Sequence, residues 1–326
     1  MSQLTSNTTA FIEAQQYSQF ILENLHDYLL PEGMWRDVTD FGSGTTLNIK
    51  TVGTVTIQDA AEDTPLNYSP IDTGTITLSI TDYVGDGWKV SDDLREDGSQ
   101  VDTLMAMRAM ESTRALGEHH ETRFLNVANA AQTAANLNLV NGRPHRWVGS
   151  AAGNARTVTL DDFIAMKLAF DKANVPAGGR IAIVDPVVEA TLNSLQNLVN
   201  VSNNPMFEGM VTEGFARDHK FVRNIFGWDI YTSNFLPTLT ATEAINASSY
   251  GLTSETAAIG DKANVFMCVA DDACKPIMHA WRRAPKTEGW RDNEERADKY
   301  QVTSRYGLGA QRVDTLGVIL THPTNY

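Results

Sequence analysis

Lysine and arginine are missing altogether between Thr51 and Trp88, while Asp59, Glu62, Asp63, Asp72, Asp82 and Asp86 all fall inside that stretch. The deficit runs through the whole chain of 326 residues: 26 basic side chains face 40 acidic ones, a formal net charge of −14. That balance disfavours a protein whose main task is gripping phosphates, because such affinity comes from clustered Lys and Arg. It suits an acidic wall beside nucleic acid better than a reader of it. No apolar run approaches the ~18 residues of a membrane span. The first thirty residues are rich in Ser, Thr, Asn and Gln in place of a basic start and an apolar core, so no signal peptide is expected, and a soluble product made in a cytoplasm is. Cysteine occurs twice, at Cys268 and Cys274, with neither a CxxC pair nor a neighbouring histidine cluster, which points to packed thiols rather than a zinc site or disulfide framework.

Catalytic signatures are also lacking. There is no GxSxG, no Walker loop and no GxGxxG; the stretch from Tyr306 to Arg312 has two correctly spaced glycines and lacks the third. The run Gly117 to Glu121 holds two adjacent histidines, but the residue four after His120 is Phe124, where a zinc protease needs a second ligand. It reads as the solvent-facing polar side of a helix. No catalytic residue, cofactor or metal ligand is assigned, and the expectation is a protein that is not an enzyme.

What the chain does have is one long uninterrupted stretch. Ser99 to about Leu137 contains no proline and a single glycine, Gly117. Ser99 is placed to cap a helix with Asp102 three residues on, and Val101, Leu104, Met105, Ala109, Leu116, Phe124, Val127, Ala128, Ala131 and Ala135 form a narrow stripe opposite Glu111, Arg114, Glu118 and Arg123. At 1.5 Å per residue this spine would run roughly 55 Å. The heptad pattern is not sustained, so strands packed along it are a better reading than a coiled coil.

Before the spine, Phe11, Tyr17, Phe20, Ile21, Leu25, Leu29 and Leu30 recur at helical intervals after a polar start, giving an arm that ends in a helix. The period then switches to two. Leu47 to Ile57 and Thr75 to Thr81 read as the strands of a long hairpin joined by a projecting loop, Gln58 to Asp72, that is too polar for a core. A two-stranded hairpin is marginal alone and should rest on something else, including another chain. After the spine comes a helix capped by Thr159 with Asp162 at its third position, its inner face formed by Leu160, Phe163, Ile164 and Leu168. A strand, Ile181 to Val184, and a helix begun by Asp185 and Pro186 and reaching about Leu198 follow. Strands are expected at Phe221–Phe226, Trp228–Ser233, Ala263–Val269, Lys299–Tyr306 and Leu316–Thr321. Thr238 to Lys262 reads as a long surface loop. Residues 276–292, with Trp281, Arg282, Arg283, Lys286, Trp290 and Arg291, form the most basic and tryptophan-rich segment.

In this order the elements resemble the major capsid protein of tailed bacteriophages, a fold shared with encapsulins. Three patterns carry the resemblance further. They are Val175-Pro176 followed by Gly179-Arg180, a strand and Pro186; Phe226-Gly227-Trp228 running to a Ser233-Asn234-x-Leu236-Pro237 corner; and the closing Tyr306-Gly307-Leu308-Gly309 with Val318 to Thr321. The resemblance implies an α+β chain: an N-terminal arm (1–40), an extended β-hairpin loop with flanking strands (41–95), a peripheral domain with the spine helix (96–156), an inserted axial α/β domain (157–275) and peripheral return strands (276–326). It implies a structural subunit that self-assembles as hexamers and pentamers into an icosahedral shell around a DNA genome, in the virion and, during assembly, in the host cytoplasm. With only about forty-five residues ahead of the hairpin, a separate scaffolding protein is expected, along with a portal protein and a possible cement or decoration protein. DNA would be enclosed without sequence-specific binding, and no membrane is involved. Some relatives crosslink through a loop lysine; none lies between Thr51 and Trp88, so no crosslink is expected.

For subunit contacts, the acidic loop residues Asp59, Glu62 and Asp63 and the basic segment of Trp281, Arg282, Arg283, Lys286 and Arg291 are complementary in charge. Nucleic-acid binding by the basic segment, and plain exposed charge, are the competing readings. An encapsulin-type compartment is a variant of the shell reading. A cytoplasmic α/β enzyme using the 199–219 and 238–262 loops is the alternative of another class.

Overall fold

A computed structural model describes residues 29–325 except 32, 39–43, 54–56, 61, 64–67, 69, 99–100, 133–136, 151–154, 195–223 and 253–254. The expected arm helix, the Ser99 cap and the 199–219 loop lie outside the described residues.

A short strand β1 (Arg36–Asp37) precedes the hairpin strands β2 (Thr46–Val52) and β3 (Thr73–Ser79), which pair antiparallel from Thr46 opposite Ser79 to Val52 opposite Thr73. Next come β4 (Asp82–Ser91), a helical turn α1 (Asp92–Asp97) capped by Ser91, and the spine α2 (Val101–Ala131). The spine has 31 residues, about 46 Å of helix, and is shorter than the sequence reading. Beyond it Gln132 donates to the carbonyls of Val313 (3.0 Å) and Leu316 (2.5 Å), and Leu137 and Asn138 turn the chain with positive φ.

The second half of the chain contributes β5 (Arg146–Val148), α3 (Leu160–Lys172), β6 (Arg180–Val184), α4 (Pro186–Ser194), β7 (Asn224–Ile225), β8 (Trp228–Thr232), β9 (Glu243–Ile245), β10 (Glu255–Ala257), β11 (Lys262–Cys268), β12 (Ile277–Asp292), β13 (Ala297–Ala310) and β14 (Leu316–Thr321). Two larger sheets result, with orders β1-β12-β13-β4 and β5-β14-β11-β6-β8-β7. The strand β14, grouped by sequence with the peripheral return strands, pairs with β11 and β5 in the six-stranded sheet.

The spine bridges the two sheets. Its C-terminal half buries Phe124, Leu125 and Ala128 against Ile181, Ile183, Val265 and Met267 on one face of the six-stranded sheet. The opposite face, carrying Ala182, Val184 and Phe266, packs on Phe163, Met166 and Phe170 of α3 and on Val188 and Leu192 of α4. The expected box at α3 is present: Asp162 Oδ2 accepts from the Thr159 backbone at 2.8 Å, while Oδ1 takes the buried Trp147 indole at 3.0 Å. Its inner face is corrected, since Ile164 and Leu168 are exposed.

The 238–262 segment is not a surface loop. Leu239, Ile245, Ala247, Leu252 and Ala257 are buried in the core of the six-stranded sheet, and β9 and β10 form a small sheet of their own. Few apolar residues at irregular spacing hid this, and the enzyme alternative loses a segment it relied on.

The spine lies on the four-stranded sheet through charge as well as apolar contact. Asp82 and Asp86, four residues apart on one face of β4, reach Arg123 (3.1 Å) and Arg108 (2.7 Å) on the helix, and Ser112 also donates to Asp86. Near the sheet's centre, Gly307 lets the Ser79-Ile80 backbone cross β13; a Cβ there would sit 2.4 Å from the Ser79 carbonyl oxygen.

Candidate subunit interface

Where the spine, β12 and β13 meet lies a cluster that the sequence reading placed in solvent. His120 and Glu121 are buried, not wet. The His120 ring sits 4.9 Å from His279 and 4.9 Å from Trp35, stacks on Trp281 at 5.6 Å and lies 5.0 Å from Tyr306. Among the described residues its Nε2 has no hydrogen-bond partner, nor has Nε2 of His279, whose Nδ1 meets Asp37 at 2.9 Å. Burial, with His279 and His119 nearby, lowers His120 to about 4. Burial lowers His279 too, against the opposing pull of Asp37, and pushes the Tyr306 phenol up to about 12. Glu121 accepts from Ser233 Oγ at 2.5 Å and from the Leu30 backbone at 2.8 Å. The Ser-Asn-x-Leu-Pro corner thus has a physical role: it ties the six-stranded sheet to the spine.

The acidic loop stands apart. Asp59, Glu62 and Asp63 are exposed, and none of the ion pairs among the described residues joins them to the basic segment. Around them Val52, Ile57, Tyr68 and Ile71 are 72–92% exposed. Lone exposed apolar residues are ordinary; here four fall on one hairpin and loop.

The basic segment is β12, and it divides in two. Arg291 is held bidentately by Asp92 (2.7 and 2.8 Å), with Asp298 at 3.4 Å, and the Asp92 hydrogen bond leads in raising its pKa. Lys286 and Arg283 both reach Glu288 at 2.9 Å, and hydrogen bonds from Lys286 and Gln301 bring that carboxyl to about 2. The N-terminal part of β12 is differently built. Trp281 pairs with Tyr306, and Arg283 pairs with Arg305 one residue along β13, so Arg282 is an extra residue. Two residues apart on a regular strand share a face. The bulge places Trp281 on the spine side, against His120, and Arg283 beside Arg305 on the side turned away. A second register shift follows across Ala284 and Pro285, where a proline without an N–H is tolerated. The outcome is a groove of about 530 Å³ lined by Ile80, Thr81, Tyr83, Arg282, Arg283 and Arg305. Sequence reasoning missed Tyr83 and Arg305; only the register Tyr83–Arg305–Arg283 across three strands brings them in.

Among the described residues no group of three or more His, Cys, Asp or Glu could hold a metal, and no helix is long and apolar enough to cross a membrane.

These sheets, the bridging helix and the projecting hairpin define a capsid-type shell fold. The model of the phage capsid protein family matches residues 73–321, and the chain belongs to that family. Solved structures share the fold. A chain of Mycobacterium phage Che8 matches with TM-score 0.65 and 17% identity over 94% of this chain and 97% of that one. The mature capsid of bacteriophage PhiM1 matches with TM-score 0.71 and 14% identity over 98% and 96%, and the capsid of cyanophage P-SCSP1u with 0.68 and 17% over 95% and 93%. No curated protein matches. The chain is a structural capsid subunit of the major capsid type.

Proposed function

We propose that copies of this chain assemble as hexamers and pentamers into a closed icosahedral shell around DNA, each projecting loop being ordered by the neighbouring copy. The exposed hairpin and loop carry this reading: Val52, Ile57, Tyr68 and Ile71 lie uncovered on an element that a two-stranded pairing alone does not stabilise. Stability then comes from many repeated, individually modest contacts rather than one strong interface. The acidic loop residues Asp59, Glu62 and Asp63 and the basic strand that includes Trp281, Arg282, Arg283, Lys286 and Arg291 are the complementary surfaces. A separate scaffolding protein, a portal protein and a cement or decoration protein are the further partners, DNA is enclosed without base-specific contact, and the subunit carries out no reaction. The virion is the final location, with assembly in the host cytoplasm.

Negative-stain microscopy with light scattering, on the protein alone and with candidate scaffolding partners, tests this. Closed shells or ring-shaped capsomers are expected, and cargo-filled shells in place of DNA-filled ones would point to an encapsulin-type compartment. A monomer or dimer that never assembles would overturn it.

A further inference from the structure

We propose that Cys268 and Cys274 are an oxidisable pair that forms an intrachain disulfide at the crossing between the two large sheets, the oxidant being a small-molecule disulfide such as oxidised glutathione. β11 ends at Cys268 in the six-stranded sheet and β12 begins at Ile277 in the four-stranded one, so residues 269–276 are the only chain between them. Both thiols are free in this structure. The turn folds Cys274 back toward Cys268. The backbone N–H groups of Cys274 (2.8 Å) and Lys275 (3.2 Å) both donate to the Asp271 carbonyl, and Lys275 Nζ reaches Asp272 at 2.7 Å. The Cys274 side chain packs on the core cluster that holds Cys268, and the two thiols lie within hydrogen-bonding reach of each other. Their spacing in the sequence pointed only to packed thiols; the turn makes them neighbours.

The two sulfurs differ in setting, and the difference orders the steps. Cys268 is fully buried, its Sγ donating weakly to the Gly178 carbonyl at 3.7 Å, and burial leads in pushing its thiol up. The backbone beside it is fixed: Val269 N–H donates to the Gly179 carbonyl at 2.8 Å, and a Cβ on Gly179, whose φ is +67°, would sit 2.7 Å from the Ala270 backbone. Cys274 is half-buried and is the sulfur that solvent reaches. Its thiolate attacks the small-molecule disulfide, forming a mixed disulfide and expelling one thiolate; the Cys268 thiolate then attacks the Cys274 sulfur and expels the second. Two protein thiols are oxidised, the reagent's S–S bond is reduced to two thiols, and the two protons lost by the protein end on them. A reducing cytoplasm keeps such a pair open, and an oxidising medium closes it. On the shell reading above, on which this consequence rests, subunits assemble with the crossing unclosed and the particle is stapled after leaving the cell.

Two measurements decide the matter. The full-length chain, purified with reductant, is equilibrated with oxidised glutathione, alkylated and digested with trypsin. Both cysteines fall in one peptide, residues 263–282, because Lys275 is followed by Pro276. That peptide should escape alkylation and be lighter than the dithiol by two hydrogens, and reductant should restore both alkylation sites. Closing a loop this short should raise the melting temperature of the oxidised chain by about 5 °C over the reduced one. Cys274→Ser, which leaves the buried Cys268 in place, should melt at the same temperature in either medium. Two alkylated cysteines after oxidation, a glutathione retained on Cys274, or a bond joining two copies on a non-reducing gel would each overturn the pair, as would a disulfide that leaves the melting temperature unmoved. Assembled shells carry the same test: oxidised shells should withstand more urea than reduced ones, and Cys274→Ser shells should show no difference. If the native chain never assembles, the shell reading fails, while the peptide mass and the melting shift still decide the disulfide.

Discussion

Acidifying the unassembled subunit from pH 7.5 to pH 4 should destabilise it through His120. The imidazole is 8% exposed, caged by Trp35, Trp281 and Tyr306, and 4.9 Å from a second buried imidazole, His279. Neutral, it needs only to leave Nε2 unpaired; protonated, it would place a charge in an aromatic pocket beside another titrating ring. Asp37 and Asp82 pull the other way, but burial outweighs them and the folded value stands at about 4, against 6.5 for a free histidine. The unfolded chain therefore takes up the proton first. Stability is fully present above about pH 6.5, is lost as pH falls toward 4, and changes no further below that. At ~1.4 kcal/mol per pH unit, the full span is worth about 3 kcal/mol, a large part of a domain's net stability. Urea midpoints measured across this range should show the slope in the native chain. They should show a flatter one in His120→Phe, which fills the cage without titrating and should lie within about 1 kcal/mol of wild type at pH 7.5. Parallel pH profiles for the two proteins would refute the assignment.

Glu243→Ala should lower unfolding stability by about 3 kcal/mol, because the Arg146 side chain is 2% exposed and would keep its charge with Asn129 alone among the described residues as side-chain partner; a urea titration checks it. Asp162→Ala should cost about 2 kcal/mol, since one carboxylate closes the capping box of α3 and accepts the buried Trp147 N–H; Asp162→Asn should recover part of the loss. Denaturing gels of mature particles should show single subunits and no covalent ladder, because no lysine stands between Thr51 and Trp88.

Local chemistry was readable from the sequence and distant pairing was not. Thr159 with Asp162, and Asp185 before Pro186, signal helix starts within a few residues, and the alternation in Thr73–Ser79 signals its strand. His120 and Glu121 looked like solvent-facing residues because their burial is imposed by Leu30, Ser233 and His279, each about ninety or more positions away. β12 escaped recognition for a related reason. Its two bulges and Pro285 erase the period of two that identifies strands, and the same irregularity builds the arginine groove. β4 was hidden by its glycines at 85 and 87 and by aspartates whose partners sit on the spine.

The place of β14 between β5 and β11 bears on the order of events in synthesis. A ribosome that has delivered everything up to residue 315 has made every other strand of that sheet, yet β5 has no hydrogen-bonded neighbour within it and the edge of β11 is open. Only when Leu316–Thr321 slides between them does the layer beneath the spine become continuous. A chain cut before β14 would therefore leave two unpaired strand edges at the heart of that sheet, the kind of edge on which other chains pair.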